Sequence, residues 1–388
     1  MGFFPSRAEN DIWMRDCGDH YEYIARYVDD LAIASRDPKI ITDELQTKYK
    51  FKIKGTGPIS YHLGCDFYRD STGTLCMAPK RYIDRMINTY EQFFGCKPKT
   101  TYSSPLERGD HPELDISDEL GSEGVKQYQS LIGAAQWLIS LGRLDIATAI
   151  MTMSSFRVAP RKGHLERVKG IYGYVSKMRH GAIRFRIGTP DYSDIPIPDN
   201  DWARTIYGNV REDVPTDAPR PLGPEVVMTT YADANLCHDM TTGRAVTGIL
   251  HLLNQTPVDF YTKKQATVET ATYSSEFVAG RTATEQIIDL RLSLRYLGVR
   301  IREGTYLFGD NKTVVDSSMS IASRLHKRHI ILSYHRVREA IAAGALYFIH
   351  QPGALNPADI LSKAWGYQQV WVMLKALLFW EGDTIDIE

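Results

Sequence analysis

One glutamate constrains this chain more than any other residue. The segment Tyr273–Leu297 has helical spacing, and the face that carries Gly280, Ala283, Ile287, Leu290 and Leu294 also carries Glu276. An ionised carboxylate on a buried helix face costs several kcal/mol unless a hydrogen-bonding partner or a cation meets it. The fold must therefore bring such a partner to Glu276. Glu285 falls on the opposite face of the same helix and reads as solvated.

Three other acids are placed to converge on it. The stretch Thr229–Asn235, TTYADAN, reads as an alternating strand that ends on Asp233. Asp310 closes the apolar run Tyr306–Gly309 and precedes Asn311 and Lys312, where a strand hands over to a helix. Asp359 lies in NPADILSK, with Asn356 as an N-cap and Pro357 in the first helical position, so it belongs to a first turn. Four carboxylates from two strand ends and two helices suit hydrolysis of a phosphodiester by two hard divalent cations, about 3.5–4 Å apart, held by oxygen ligands. Each acid alone also has an ordinary reading: a strand-end turn for Asp233, a helix N-cap for Asp310, a dipole-favoured first-turn acid for Asp359.

The ordered set YADAN (231–235), SSEF (274–277), GDN (309–311) and PADILSK (357–363) resembles the ribonuclease H domain of copia-like retrotransposon polyproteins. The stretches between agree too: Tyr261–Gln265 reads YTKKQ, and Lys327–Glu339 reads KRHIILSYHRVRE. The resemblance implies that Asp233, Glu276, Asp310 and Asp359 are catalytic and hold two Mg²⁺ ions, with Mn²⁺ as the alternative. It also implies the substrate, the RNA strand of an RNA–DNA hybrid, cleaved to a 3′-hydroxyl and a 5′-phosphate. Asn235 departs from the family, which often has an aspartate there; hydrogen bonding is expected to change locally and cleavage to survive.

Upstream, Tyr21–Ser35 (YEYIARYVDDLAIAS) reads as a hairpin with Asp29 and Asp30 at its turn. YVDD between apolar strands resembles the polymerase hairpin of reverse transcriptases, which makes Asp29 and Asp30 metal ligands by implication. The surrounding Gly2–Arg15, Asp43–Lys50 and Tyr61–Asp70 fit the copia-like pattern, and the helical Tyr128–Met153 resembles its thumb and connection. Leu144 stands where the family's Thr-Arg-Pro-Asp has proline; Arg143 and Asp145 match. That polymerase class takes a further metal-binding aspartate from an earlier strand, and only 28 residues precede Asp29. The chain alone is accordingly expected not to polymerise DNA. The alternatives to a nuclease are a catalytically inactive nucleic-acid-binding remnant, or a structural subunit of a split polymerase. The latter predicts an exposed apolar surface around Tyr21–Leu31.

The net charge of −1 hides an uneven distribution. Arg157, Arg161, Lys162, Arg167, Lys169, Lys177, Arg179, Arg184 and Arg186 face one local acid, Glu166, and this excess is the footprint of a phosphate backbone. Arg324, Lys327, Arg328, His329, Arg336 and Arg338 are further candidates, near the nuclease acids; the alternative is a basic, solvated helix face. Zinc from His326, His329 and His335 lacks a neighbouring cysteine. Five scattered cysteines without a CxxC pair read as reduced thiols, and no apolar run has membrane-spanning length. An intracellular protein is expected: cytoplasmic, in virus-like particles, and nuclear if the element integrates. Its partners by this reading are an RNA–DNA hybrid, the nucleic-acid backbone and the upstream part of a polyprotein, with no membrane.

The expected fold class is a multidomain α+β and α/β chain. A truncated reverse-transcriptase palm with the YVDD hairpin (1–100) and a helical thumb and connection (101–188) come first. A proline-rich linker (189–224) leads to a ribonuclease H-like mixed sheet flanked by helices (225–388). Helix Lys80–Phe94 is expected to turn Tyr82, Met86, Ile87, Tyr90 and Phe93 to a core.

Overall fold

Aromatic and β-branched residues in short alternating runs build the first sheet of the computed structural model, which describes residues 1–325, 327–365 and 367–379. Strands β1 (Phe4–Pro5), β2 (Ile12–Asp16), β3 (Tyr21–Tyr27) and β4 (Asp30–Ala34) pair antiparallel in that order. The β3–β4 loop is Val28-Asp29, and Val28 adopts φ 55°, a conformation that a β-branched residue takes only under constraint. Helix α1 (Pro38–Thr47) starts at Asp37, whose side chain accepts from the Lys39 N–H, with Pro38 in the first turn. A second sheet follows: β5 (Tyr61–His62), β6 (Cys65–Arg69) and β7 (Leu75–Ala78). Residues 1–100 therefore divide between two sheets that do not hydrogen-bond to each other.

The next layer is helical. On α2 (Lys80–Phe94), Ile83, Met86 and Tyr90 are buried, and Tyr82, Ile87 and Phe93 pack at the edge of the same core, as the spacing requires. It meets α3 (Ser122–Ser140) and α5 (Lys162–Lys177), both of which also contact α4 (Ala147–Ser154), and β8 (Ile183–Arg184) then returns to pair with β7. Arg143 and Asp145 form a wholly buried ion pair, with Tyr174 donating its hydroxyl to Asp145. Leu144, in the proline position, is itself core.

Residues 189–224 hold seven of the eighteen prolines, but they are not a free spacer. Tyr192 packs against the Tyr306 ring at 4.5 Å, and Trp202 lies under the Arg338 guanidinium at 4.9 Å. Glu212 grips Arg291 at 2.7 Å and Arg295 at 2.6 Å. Each anchor is an aromatic or charged residue set among the prolines, so the connection runs as a strap along the last domain.

That domain contains β9 (Leu222–Val226), β10 (Met228–Asn235), β11 (Val246–Leu253), β12 (Thr256–Lys264), α6 (Thr272–Tyr296), β13 (Val299–Ile301), β14 (Thr305–Gly309), α7 (Lys312–Met319), α8 (Ile331–Ala342), β15 (Leu346–His350), α9 (Asp359–Ser362) and α10 (Tyr367–Leu378). The main sheet has the order β12-β11-β10-β14-β15; β10 runs antiparallel to β11 and parallel to β14. Its two faces have separate cores. Ile249 packs with Ala232, Phe277 and Val337 beneath α6 and α8, while the next residue, Leu250, joins Ile360, Leu361 and Trp365 in the core of α3, α4 and α5. The first sheet docks on the far end of α6, where the Tyr23 hydroxyl donates to the Leu297 carbonyl at 2.7 Å and the Ser6 hydroxyl to that of Tyr296 at 3.0 Å.

Candidate active site

The parallel pairing of β10 with β14 ends at Tyr231 and Phe308, and two residues beyond each lie Asp233 and Asp310. They therefore stand side by side, Asp233 in the last residues of β10 and Asp310 just past β14, at the carboxyl ends of neighbouring strands where open sheets place their sites. Asn311, not Asp310, caps α7, accepting from the Val314 N–H. Glu276 comes from the first turns of α6, on the face predicted from its spacing. Carboxylate oxygens of Asp233, Glu276 and Asp310 all lie within 4.8 Å of one another, at a cleft of about 400 Å³. Asp233 is 1% exposed and Glu276 6%.

Asp359 stands beside this trio, not in it. Its segment is tied to the site by Asn356, which is fully buried, donates to the Ala232 carbonyl at 2.9 Å and accepts from the Ala358 N–H. The link to Asp233 is Lys363, whose Nζ lies 2.7 Å from Asp359 Oδ1 and 3.2 Å from Asp233 Oδ2. Ser362 donates its hydroxyl to Asp233. Sequence reasoning gave Ser362 and Lys363 no role, although both lie in PADILSK. The available signal was the four-residue spacing of Asp359 and Lys363, which puts opposite charges on one helical face.

Crowding of like charges shifts the acids. Burial, with Asp233 and Asp310 close by, pushes Glu276 well above the usual carboxylate range. Burial and Asp233 raise Asp310 as well. Asp359 is pushed up to about 6 by burial and then Asp233, despite the opposing pull of Lys363. Burial acts to lower Lys363, but Asp233 and Asp359 outweigh it and raise its pKa. An all-oxygen, like-charged donor set fits a hard divalent cation, whose charge would relieve this repulsion.

The remaining predicted residues are dispersed. Asp29 and Asp30 are exposed at the hairpin tip, and no group of three acid, cysteine or histidine ligands includes them among the described residues. Along 157–186 the acids missing locally arrive from elsewhere in the chain. Arg167 binds Asp110 and Asp115 at 2.7 Å each, Lys162 binds Asp118, Arg161 meets Glu119, and Arg179 meets Asp84. Lys169 pairs with Glu166 and lies over the Phe94 ring. Arg157 is exposed and Lys177 half-buried. Arg338 is a correction: it is 3% exposed and donates to the carbonyls of Ser317, Ser318 and Ser320, so it anchors α8 and has no face for a phosphate.

Lys327, Arg328 and His329 border the first turn of α6. Lys327 lies over the Tyr273 ring, and His329 faces Ser274 and Glu269 at 3.3 Å each. His335 bonds instead to the Tyr207 hydroxyl, so it and His329 share no metal group among the described residues. His326 lies outside the described residues. Asn235 contacts His238 at 3.0 Å, and His238 in turn reaches Thr152 of α4.

Residues 1–105 match the family model described as reverse transcriptase (RNA-dependent DNA polymerase). The retrovirus-related Pol polyprotein from transposon RE1 of Arabidopsis thaliana is 24% identical over 367 residues, covering 94% of this chain and 22% of that polyprotein. The corresponding polyprotein from transposon TNT 1-94 of Nicotiana tabacum is 24% identical over 379 residues, covering 93% and 25%. This chain thus spans about a quarter of the length of these relatives. Among solved structures, ribonuclease H1 of Halobacterium salinarum aligns with 36% of this chain and 95% of its own, at 17% identity and a TM-score of 0.28. At its amino-terminal end the chain is similar to reverse transcriptases. Over most of its length the chain is homologous to copia-like retrotransposon Pol polyproteins.

Proposed function

We propose that the chain is a retrotransposon-derived reverse transcriptase/ribonuclease H segment that hydrolyses the RNA strand of RNA–DNA hybrids with divalent metal ions. The observation that carries this reading is the gathering of Asp233, Glu276 and Asp310, from two adjacent strand ends and one helix, within 4.8 Å of one another. Together with Asp359 they would hold Mg²⁺, or Mn²⁺ in its place. Bound there, the ions supply the Lewis acidity that activates water and stabilises the leaving oxygen. The chain's own groups hold that donor set in place: Ser362 fixes the Asp233 carboxylate, and Asn356 fixes the turn that carries Asp359. Lys327, Arg328 and His329, beside the first turn of α6, suit contact with phosphates. Preference for RNA would come from 2′-hydroxyl contacts across the minor groove. The activity proposed rests on the cluster of Asp233, Glu276 and Asp310, and Asp29 and Asp30 lie apart from it at the hairpin tip. Such a chain works inside the cell.

The test is a panel of one labelled RNA offered as single strand, RNA duplex and RNA–DNA hybrid, with Mg²⁺ or with chelator. Cleavage confined to the hybrid and to Mg²⁺ is expected. Equal cleavage of the single strand would rule the reading out.

A further inference from the structure

We propose that Lys363 is a built-in counter-ion that one of the two metal ions has to displace, so that the ions bind unequally and in order. The inference rests on the reading of the carboxylates as a divalent-metal site. Its basis is an asymmetry around Asp233. On one side, Asp233 meets Glu276 and Asp310, and no lysine or arginine forms an ion pair with either of these among the described residues. On the other side the Lys363 ammonium bridges to Asp359, 2.7 Å from Asp359 Oδ1 and 3.3 and 3.2 Å from the two Asp233 oxygens.

The bridge is delivered by fixed backbone. Lys363 follows α9 directly, and α9 is held against the sheet by the Thr262 hydroxyl, which donates to the Leu361 carbonyl at 2.6 Å, and against α4 by Thr148, which donates to the Ile360 carbonyl at 2.9 Å. Only the lysine's four-carbon stem is free to move, and its side chain remains 35% exposed at the cleft. A divalent ion entering between Asp233, Glu276 and Asp310 meets two carboxylates that no lysine or arginine pairs with among the described residues, and shares only Asp233 with Lys363. One entering between Asp233 and Asp359 meets a cation already seated on the same oxygens, and binds only as that ammonium swings away.

The experiment is calorimetric titration of the full chain with MgCl₂, comparing wild type with Lys363→Met and Lys363→Arg. The expected result is a stronger and a weaker Mg²⁺ site in wild type. Lys363→Met should strengthen the weaker site by about tenfold, towards the lower end of ordinary coupling between sites, and leave the stronger one little changed. Lys363→Arg should keep the gap. A wild-type measurement covers a Met variant that fails to fold: the ¹⁵N-labelled ammonium signal of Lys363, assigned by its loss in Lys363→Arg, should move with filling of the weaker site. Unchanged or weakened binding in Lys363→Met, or an ammonium signal that follows the stronger site or stays still, overturns the inference while the metal site stands. No Mg²⁺ uptake by wild type and variant alike would remove the metal site and the inference together.

Discussion

Glu276 is buried beside two other acids, which together with burial raise its pKa, so the cluster works against the fold that holds it. Asp310→Asn removes one charge from a half-buried position where burial and Asp233 already disfavour ionisation. It should lower cleavage at least about a hundredfold by removing a metal ligand while raising Tm in chelator by roughly 1–3 °C. Paired activity and thermal-melt measurements check this, and a lower Tm would contradict the account of crowding. The pH dependence has a definite sign. Asp359 keeps its proton to about pH 6 when folded, above its ordinary value of 3.8, so the folded state binds more protons than the unfolded one between these values. Its contribution to stability is present at low pH and lost as pH rises through about 6. Without divalent ions, the gain in Tm from pH 7 to pH 5 should therefore be larger in wild type than in Asp359→Asn; an equal or smaller gain would show that the site does not titrate this way. At this scale, spacing and strand ends made the four acids readable. Lys363 escaped because a lysine one turn from an aspartate is an ordinary solvated pair unless the fold buries it against a third residue.

Among the elements, α9 decides whether the fourth acid is in place, although it is only four residues long. It lies directly on β11 because Gly248 has no side chain: a Cβ there would fall 2.6 Å from the Ala358 carbonyl oxygen and 2.8 Å from the Ser362 nitrogen, both backbone atoms that cannot rotate away. Gly248→Ala should thus lift α9, costing about 1–3 kcal/mol in stability and at least tenfold in cleavage. Denaturant melts and hydrolysis rates measure both, and unchanged cleavage would show that Asp359 is not needed where α9 puts it. The need for glycine at 248 comes from a contact with a segment far along the chain, which no local pattern records. The strap 189–224 was hidden for the same reason. Its prolines signal an irregular path, and only the fold shows that Tyr192, Trp202 and Glu212 are anchors.

Across the whole molecule, α6 separates the two acidic features. Glu276 is near its start and the first sheet docks at its end, 20 residues on, which amounts to about 30 Å of helix. At the hairpin tip Tyr27, Val28 and Leu31 are exposed, Val28 by 83%, whereas Tyr21 and Ile24 are buried against the rest of the chain. The apolar surface expected there is thus present at the tip, and Trp13 and Phe4 of the same sheet are exposed as well. Charge organisation also became clear only at this scale, because the acids of 110–119 that neutralise Arg161, Lys162 and Arg167 are remote in sequence. Arg328→Ala should weaken hybrid binding and reduce its salt slope by about one, with little effect on Tm. Arg167→Ala should instead lower stability, since it leaves Asp110 and Asp115 unpaired, and keep the salt slope. Binding isotherms at several salt concentrations separate the two, and the reverse pattern would move the nucleic-acid path to α5.

The most direct measurement is cleavage of an end-labelled RNA strand in an RNA–DNA hybrid with Mg²⁺ by the wild-type chain and by Asp310→Asn, with the product ends identified. The account predicts 3′-hydroxyl and 5′-phosphate products from the wild type and none from the variant. Hybrid binding without cleavage by a folded wild-type chain, or equal cleavage by both, would contradict it.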